Sequence, residues 1–125
     1  MSEPIFLTMP FPDMRLSPNK KSHWTVKMSA TREARTVAKL LATEQCKRNE
    51  PIKYADVLIS WYPPDNRRRD YELLLRATKP IIDGIVDAGV LEDDSCKVIR
   101  VMTINVEPFD RINPRTVIAI FDNKR

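Results

Sequence analysis

The segment from residue 67 to residue 95 constrains the fold most, because it joins three sequence patterns in one stretch. It opens with the run Arg67–Arg69, continues as an amphipathic helix and closes with the acidic residues 92–94. Asp70 stands where a helix N-cap residue is expected, and Gly89 stands where a left-handed residue ends a helix. Carboxylates at both ends of one helix, beside a cationic run, indicate a site for a divalent metal and a phosphate.

Pro80 interrupts the helical pattern, since proline removes a backbone donor and clashes with the carbonyl four residues earlier. Either one helix is kinked at Pro80, or residues 71–78 form a separate turn and Pro80 begins the main helix. We prefer the second interpretation. In both, one face of the segment is formed by Leu74, Thr78, Ile81, Ile85 and Ala88.

The remaining patterns predict a second helix and four strands. Residues 5–9, 55–61, 98–106 and 116–121 are the predicted strands, and residues 107–114 are a predicted hairpin connection. Apolar residues on both faces of the segment 55–61 predict a central strand. The first helix begins after Ser29, or alternatively Thr31, as its N-cap, and ends before Asn49. The order β-α-β-α-β-β predicts a single α+β (mixed α/β) domain over residues 1–125, with about four strands and two main helices.

Composition excludes several classes of protein. The chain has 125 residues, a net charge of +4 and a pI near 9.2, with no apolar run long enough to cross a membrane. The first residues lack the basic and apolar regions of a signal peptide, so we expect a cytoplasmic protein that is not secreted and has no membrane partner. Cys46 and Cys96 lack metal-site spacing and are predicted to be reduced thiols.

A long loop is predicted from residue 10 to residue 27. It contains aromatic and basic side chains that suit contact with a nucleic acid. The candidate DNA-binding residues in this loop are Lys20, Lys21, His23 and Lys27. The alternative is that they are ordinary packed or solvated side chains of a connecting segment.

The carboxylates around the second helix can serve metal-dependent phosphodiester chemistry. Asp70, Glu72 and Asp94 supply the oxygen ligands that Mg²⁺ and Mn²⁺ prefer. A metal ion lowers the pKa of bound water, and Lys79 or Arg76 would neutralise the transition state. The alternative is that Asp70 only caps a helix, Glu72 pairs with Arg76 and the acidic triplet is solvated. Spacing alone does not decide between these interpretations.

Two segments of the chain resemble the RusA-type Holliday junction resolvases, which are crossover-junction endodeoxyribonucleases of phages and prophages. The first is residues 10–38, with a proline pair, an SPN turn, His-Trp and a helix. The second is residues 67–94, which reads RRRDYE…KPxxDGxVDAGVxxDD and carries the more specific motif. Together they cover well over half of the chain.

The resemblance implies a bacterial or phage-encoded homodimer that binds four-way DNA junctions in recombination and repair. It would cut them by paired symmetric nicks with Mg²⁺, with Mn²⁺ as the alternative metal. Matching positions assign the metal-binding and catalytic carboxylates to Asp70, Glu72 and Asp94, and the catalytic lysine to Lys79. Asp83 would orient that lysine, and Asp93 would assist catalysis or support the metal ligands.

DNA contacts are expected from the arginine run and from the exposed helix. These residues are Arg67, Arg68, Arg69 and Arg76. The chain departs from the family pattern at two positions: it has Glu72 where many members have Asp, and Leu73 where members often have Asn. A longer stretch before Lys79 leaves both Lys79 and Arg76 as candidates for the catalytic cation. Two alternatives to a junction nuclease are a catalytically inactive junction- or DNA-binding protein and a nuclease for flaps, other branched DNA or RNA.

Overall fold

The computed structural model describes residues 3–12 and 24–123, with the side chains of residues 24–27 left out. It contains six elements in the predicted β-α-β-α-β-β order, which confirms the α+β fold. The strands are β1 (Ile5–Pro10), β2 (Ala55–Tyr62), β3 (Ile99–Val106) and β4 (Arg115–Asp122). The helices are α1 (Trp24–Gln45) and α2 (Tyr71–Asp87). In the described part of the chain, no helix is both long and apolar enough to cross a membrane.

The strands form one sheet in the order β1-β4-β2-β3. β2 pairs in parallel with β3 and antiparallel with β4, so the predicted central position of β2 is confirmed. The predicted hairpin at residues 107–114 is wrong, because β4 lies between β1 and β2 and does not pair with β3. The connection crosses the end of β2, where Glu107 and Asp110 donate backbone hydrogen bonds to the carbonyls of Trp61 and Pro63. Strand spacing of about 4.8 Å makes that crossing about 10 Å, which eight residues span easily.

β2 alternates between fully buried and half-buried side chains. Its buried positions, among them Val57, Ile59 and Trp61, face a core shared with both helices. Along β4, Ile118 and Ile120 stand opposite Ile59 and Val57 and complete that face. The core therefore lies on one side of the sheet. The C-terminal end of β2 and the N-terminal end of α2 lie close together at the border of this core.

The predicted start of α1 at Ser29 or Thr31 is wrong, because the helix already begins at Trp24. Ser29 and Thr31 lie on its exposed surface. Serine costs only a few tenths of a kcal/mol inside a helix, so an exposed serine is weak evidence for a cap. The predicted loop of residues 10–27 is accordingly shorter at its C-terminal end.

The preferred interpretation of Pro80 as the first residue of a helix is also wrong. α2 runs without interruption from Tyr71 to Asp87, with Pro80 inside it. An internal proline costs about 3 kcal/mol. Leu73, Leu74 and Ile81 are buried on both sides of it, and each contributes roughly 1.5–3 kcal/mol of burial. The free energy gained by burying the apolar face of α2 therefore exceeds the cost of the internal proline.

Candidate active site

The turn after α2 brings the acidic loop back along the helix. Gly89 has φ of +80° and donates to the Val86 carbonyl, while Val90 donates to the Ile85 carbonyl. This pair of hydrogen bonds is a Schellman motif, which confirms Gly89 as the residue that ends the helix. Ile52 then fixes the returning chain, because its amide donates to Val90 and its carbonyl accepts from Glu92. The loop is held against the segment that leads into β2.

Asp94, at the end of this loop, meets the middle of α2. The Lys79 ammonium donates hydrogen bonds to Asp94 Oδ2 and, at 2.9 Å, to Asp83 Oδ1. Asp83 lies one helical turn after Lys79, so its contact follows from helix geometry. The contact with Asp94 joins residues 15 positions apart and depends on the fold. One cation and two carboxylates therefore form a compact surface cluster.

Arg35 of α1 supports this cluster from the other helix. Its guanidinium makes two hydrogen bonds to the Asp87 carboxylate, with N–O distances of 2.7 and 2.9 Å. A third guanidinium nitrogen lies 3.9 Å from Asp83. No sequence pattern predicted these contacts of Arg35, because they depend on how α1 crosses α2. A bidentate arginine pair is geometrically specific, so Arg35 fixes the side of α2 that carries Asp83.

Charge within the cluster shifts the acid–base equilibria of Asp94 and Lys79. The hydrogen bond from Lys79 holds the pKa of the Asp94 carboxyl below its ordinary value. The hydrogen bond to Asp94, followed by that to Asp83, raises the pKa of the Lys79 ammonium. Both shifts favour the charged forms, so the ion pair persists at neutral pH.

Replacement of Lys79 by Met is expected to return the pKa of Asp94 towards its usual value of about 3.9. Since the folded-state pKa of Asp94 is depressed, its contribution to stability is present above about pH 4 and is lost as the pH falls through the folded value. Carboxyl ¹³C chemical shifts recorded from pH 2 to pH 6 measure this. Arg76→Met removes an exposed cation one turn away and should leave the Asp94 titration unchanged; an equal response to both variants contradicts a specific Lys79–Asp94 pair.

Asp70 and Glu72 lie at the N-terminal end of α2. Asp70 occupies the N-cap position with φ of −81° and ψ of 144°, but its side chain makes no capping hydrogen bond. Its carboxylate lies 3.8 Å from the Arg68 guanidinium. Glu72 is exposed in the first turn. Lys79 follows it by seven residues, so both lie on one face about 10 Å apart along the axis.

The chemistry of Asp70, Glu72 and Asp94 fits Mg²⁺ or Mn²⁺, which prefer carboxylate oxygens. Their arrangement does not form a three-ligand group: over residues 3–12 and 24–123, no three His, Cys, Asp or Glu side chains are grouped to hold a metal ion. An ion at Asp94 would compete with the Lys79 ammonium for the same oxygen atoms. The structure therefore does not bring Asp70, Glu72 and Asp94 together in one metal site: Asp94 lies on Lys79 in the middle of α2, and Asp70 and Glu72 lie at its N-terminal end.

The three arginines before α2 have different environments. The side chains of Arg67 and Arg68 are 84% and 94% exposed, whereas that of Arg69 is 14% exposed. Arg69 donates to the Asp65 carboxylate at 2.8 Å and lies over the Phe11 ring. No sequence pattern predicted this inward turn of Arg69. Arg67 and Arg68 are therefore the members of the run that are open to a phosphate backbone.

Other predicted site residues lie on the surface or outside the described structure. Arg76 and Asp93 are exposed. Lys20, Lys21 and His23 lie outside the described residues, as does the side chain of Lys27, whose backbone belongs to α1.

Comparison with known proteins identifies a relative whose name states no activity. No protein-family model matches the chain. An uncharacterized protein of Xylella fastidiosa (strain Temecula1 / ATCC 700964) is 37% identical over 90 residues, which is 70% of this chain. The match covers 59% of that relative, so this chain corresponds to little more than half of its length.

Proposed function

We propose that this chain is a magnesium-dependent, structure-specific DNA endonuclease that resolves Holliday junctions by paired symmetric nicks. The observation that carries the proposal is the contact of Asp94 with Lys79 in the middle of α2. A chain in which the acidic loop were only a solvated turn would not need that contact. The sequence motif around α2 supports the same activity.

Each charged group has a role in this proposal. Asp70, Glu72 and Asp94 would hold Mg²⁺ once their carboxylates move together from the separate positions described above, and the bound ion would polarise the phosphodiester and activate water. Lys79 would neutralise charge that develops on the phosphoryl oxygens, and Asp83 orients its ammonium at 2.9 Å. These two ion pairs favour Lys79 over Arg76 as the catalytic cation, because Arg76 has no comparable positioning partner among the described residues.

The DNA-binding surface follows from exposure. Arg67 and Arg68 project from the entrance to α2, next to Asp70. Phosphate contacts of this kind fix the position of a strand without reading its sequence. We propose a four-way junction as the substrate and a homodimer as the acting species, because paired cuts need two active sites. A cytoplasmic location in a bacterial or phage-encoded system accords with such a substrate.

A catalytically inactive junction-binding protein is the second candidate. It is favoured by the lack of a grouped carboxylate site in the described part of the chain. In such a protein the Lys79 ammonium would neutralise the Asp94 carboxylate, which a metal ion would neutralise in an enzyme. Both candidates share the exposed arginines, so binding alone does not separate them.

A labelled mobile four-way junction with Mg²⁺ separates these candidates. The expected result is a pair of symmetric nicks, which a chelator abolishes and added Mg²⁺ restores. Flaps, three-way junctions, linear duplexes and RNA, tested in parallel, measure structural selectivity. Binding without nicks in Mg²⁺ or Mn²⁺ supports the inactive protein, and faster cutting of flaps or RNA than of junctions contradicts junction resolution.

A further inference from the structure

A pocket lies where β2 and β3 end and α2 begins. Its volume is about 260 Å³, just below the range of about 300–1,000 Å³ that is typical of drug-sized ligands. The apolar part of its lining consists of Phe11, Trp61, Pro63, Tyr71, Leu74 and Val106. Two guanidinium groups, of Arg67 and Arg69, complete it. The pocket therefore suits one small, flat, partly polar ligand.

Two N–H groups of the lining residues have no partner among the described residues. They are Trp61 Nε1 and Arg69 Nε, and both atoms are buried. Trp61 has no exposed surface, so bulk water does not reach its indole N–H, and a ligand in the pocket reaches it only when the lining moves apart. An unmade hydrogen bond of this kind costs about 1–3 kcal/mol, and such a cost in a native fold needs an explanation.

The neighbours of these donors hold them in place. The other nitrogens of Arg69 are bound by Asp65 and by the Arg67 carbonyl. Phe11 packs edge-on against Trp61, with ring centroids 6.2 Å apart, and lies under the Arg69 guanidinium. The unpaired N–H groups therefore belong to fixed side chains and are not free to find an acceptor by rotation.

We infer that this pocket receives one unstacked nucleobase that carries a carbonyl oxygen. The inference rests on the proposed action on branched DNA, whose crossover offers bases that can leave the stack. A nucleobase has apolar faces for the aromatic lining and acceptors for the two donors. A phosphate would lose its hydration against six apolar side chains in return for two hydrogen bonds.

The position of the pocket relates it to the candidate active site. Arg69 and Tyr71, which line the pocket, are the immediate neighbours of Asp70 in the chain. A base held there places its own backbone phosphate close to the carboxylates at the start of α2. Guanine, thymine and cytosine each present a carbonyl oxygen, whereas the acceptors of adenine are ring nitrogens only, so we expect weaker binding of adenine in this pocket.

The first test combines abasic sites with a pocket variant. Single abasic nucleotides are placed around the crossover, and junction affinity is measured in EDTA for the wild type and for Tyr71→Ala. Tyr71 is 61% exposed, so its truncation leaves the core intact. At one position, an abasic site is expected to weaken wild-type binding about tenfold, in line with the stacking of one base on an aromatic side chain. Tyr71→Ala should weaken binding of the intact junction similarly and remove the effect of the abasic site.

Leu75→Ala is the matched control, because Leu75 is 56% exposed on α2 and does not line the pocket. This variant should keep the full response to the abasic site. The proposal is overturned if, at every position tested, Tyr71→Ala and the abasic site lower junction affinity independently, so that the combined loss is the product of the two separate losses. The protein would then bind junctions without placing a base in the pocket, and the proposed function would be unaffected.

The second test does not depend on junction binding. The indole N–H signal of Trp61 is followed by ¹H–¹⁵N NMR during titration with GMP, TMP, CMP and AMP at millimolar concentration, with Trp24→Phe used for assignment. GMP, TMP and CMP should move it more than AMP, and ribose 5-phosphate should not move it. A shift in a protein that fails to bind junctions supports the pocket and refutes the junction proposal. An unmoved signal, or an equal shift by ribose 5-phosphate, overturns the base pocket.

Discussion

Gly84→Ala is expected to lower the free energy of unfolding by about 3 kcal/mol, at the upper end of the effects of overpacking. A Cβ atom at this position of α2 would lie 2.5 Å from the Arg35 carbonyl oxygen, 2.6 Å from Ala38 Cβ and 2.8 Å from the Lys39 amide nitrogen. Two of these atoms are backbone, so no side-chain rotation relieves the clash. The gain of about 1 kcal/mol in helix propensity is too small to offset the displacement of α1.

Gly89→Ala is the matched control for this prediction. Nothing lies within 4 Å of a Cβ at Gly89, but its φ of +80° costs an alanine roughly 1–2 kcal/mol. Urea unfolding followed by circular dichroism measures both variants. Larger side chains should destabilise further at position 84, while Asn should be accepted best at position 89. Stability equal to or above that of the wild type in Gly84→Ala would contradict the close approach of the helices.

The sequence predicts the type of each element here because local patterns determine it. Apolar residues on both faces of the segment 55–61 predicted a central strand, and the pairing of β2 with both β3 and β4 confirms it. Gly89 marked the end of α2 because few other residues accept a positive φ there. Ser29 and Pro80 misled because their local preferences are worth at most a few kcal/mol, and burial of the neighbouring apolar face exceeds them.

The sequence patterns did not predict which elements distant in sequence lie next to each other in the fold. The insertion of β4 between β1 and β2 is decided by pairing over more than 50 residues, which a short connection such as 107–114 does not reveal. The same holds for Arg35, whose two carboxylate contacts need the crossing of α1 over α2. Arg69 differs from Arg68 only through Asp65 and Phe11, which are placed by the fold.

For the candidate site, the sequence named the groups and the fold determines which of them meet. The family resemblance implied that Asp83 orients Lys79, and the spacing of one helical turn brings the two side chains within reach of each other. The contact of Lys79 with Asp94 needs the Schellman turn and the pairing of Ile52 with the returning loop. Glu72 remains nearly two helical turns from Lys79, because a continuous α2 keeps residues 72 and 79 about 10 Å apart along the axis.

Asp94→Asn is expected to reduce junction cleavage about 10³-fold, while junction affinity in EDTA stays within a factor of two. The amide keeps the size of the side chain and one acceptor for Lys79, but it removes the charge needed both for the ion pair and for a metal ligand. The Asp94 side chain is about one-third exposed, so the free energy of unfolding should change by less than about 1 kcal/mol. Single-turnover nicking at saturating protein separates loss of chemistry from loss of binding.

Glu92→Gln provides the control, because it removes the same charge from an exposed residue of the same loop. Its cleavage rate should stay close to that of the wild type, and Asp70→Asn should behave like Asp94→Asn. Equal losses in Glu92→Gln and Asp94→Asn would indicate a general electrostatic effect of the loop. Undiminished cutting by Asp94→Asn would refute its catalytic role, since the contact that carries the nuclease proposal would then have only a structural purpose.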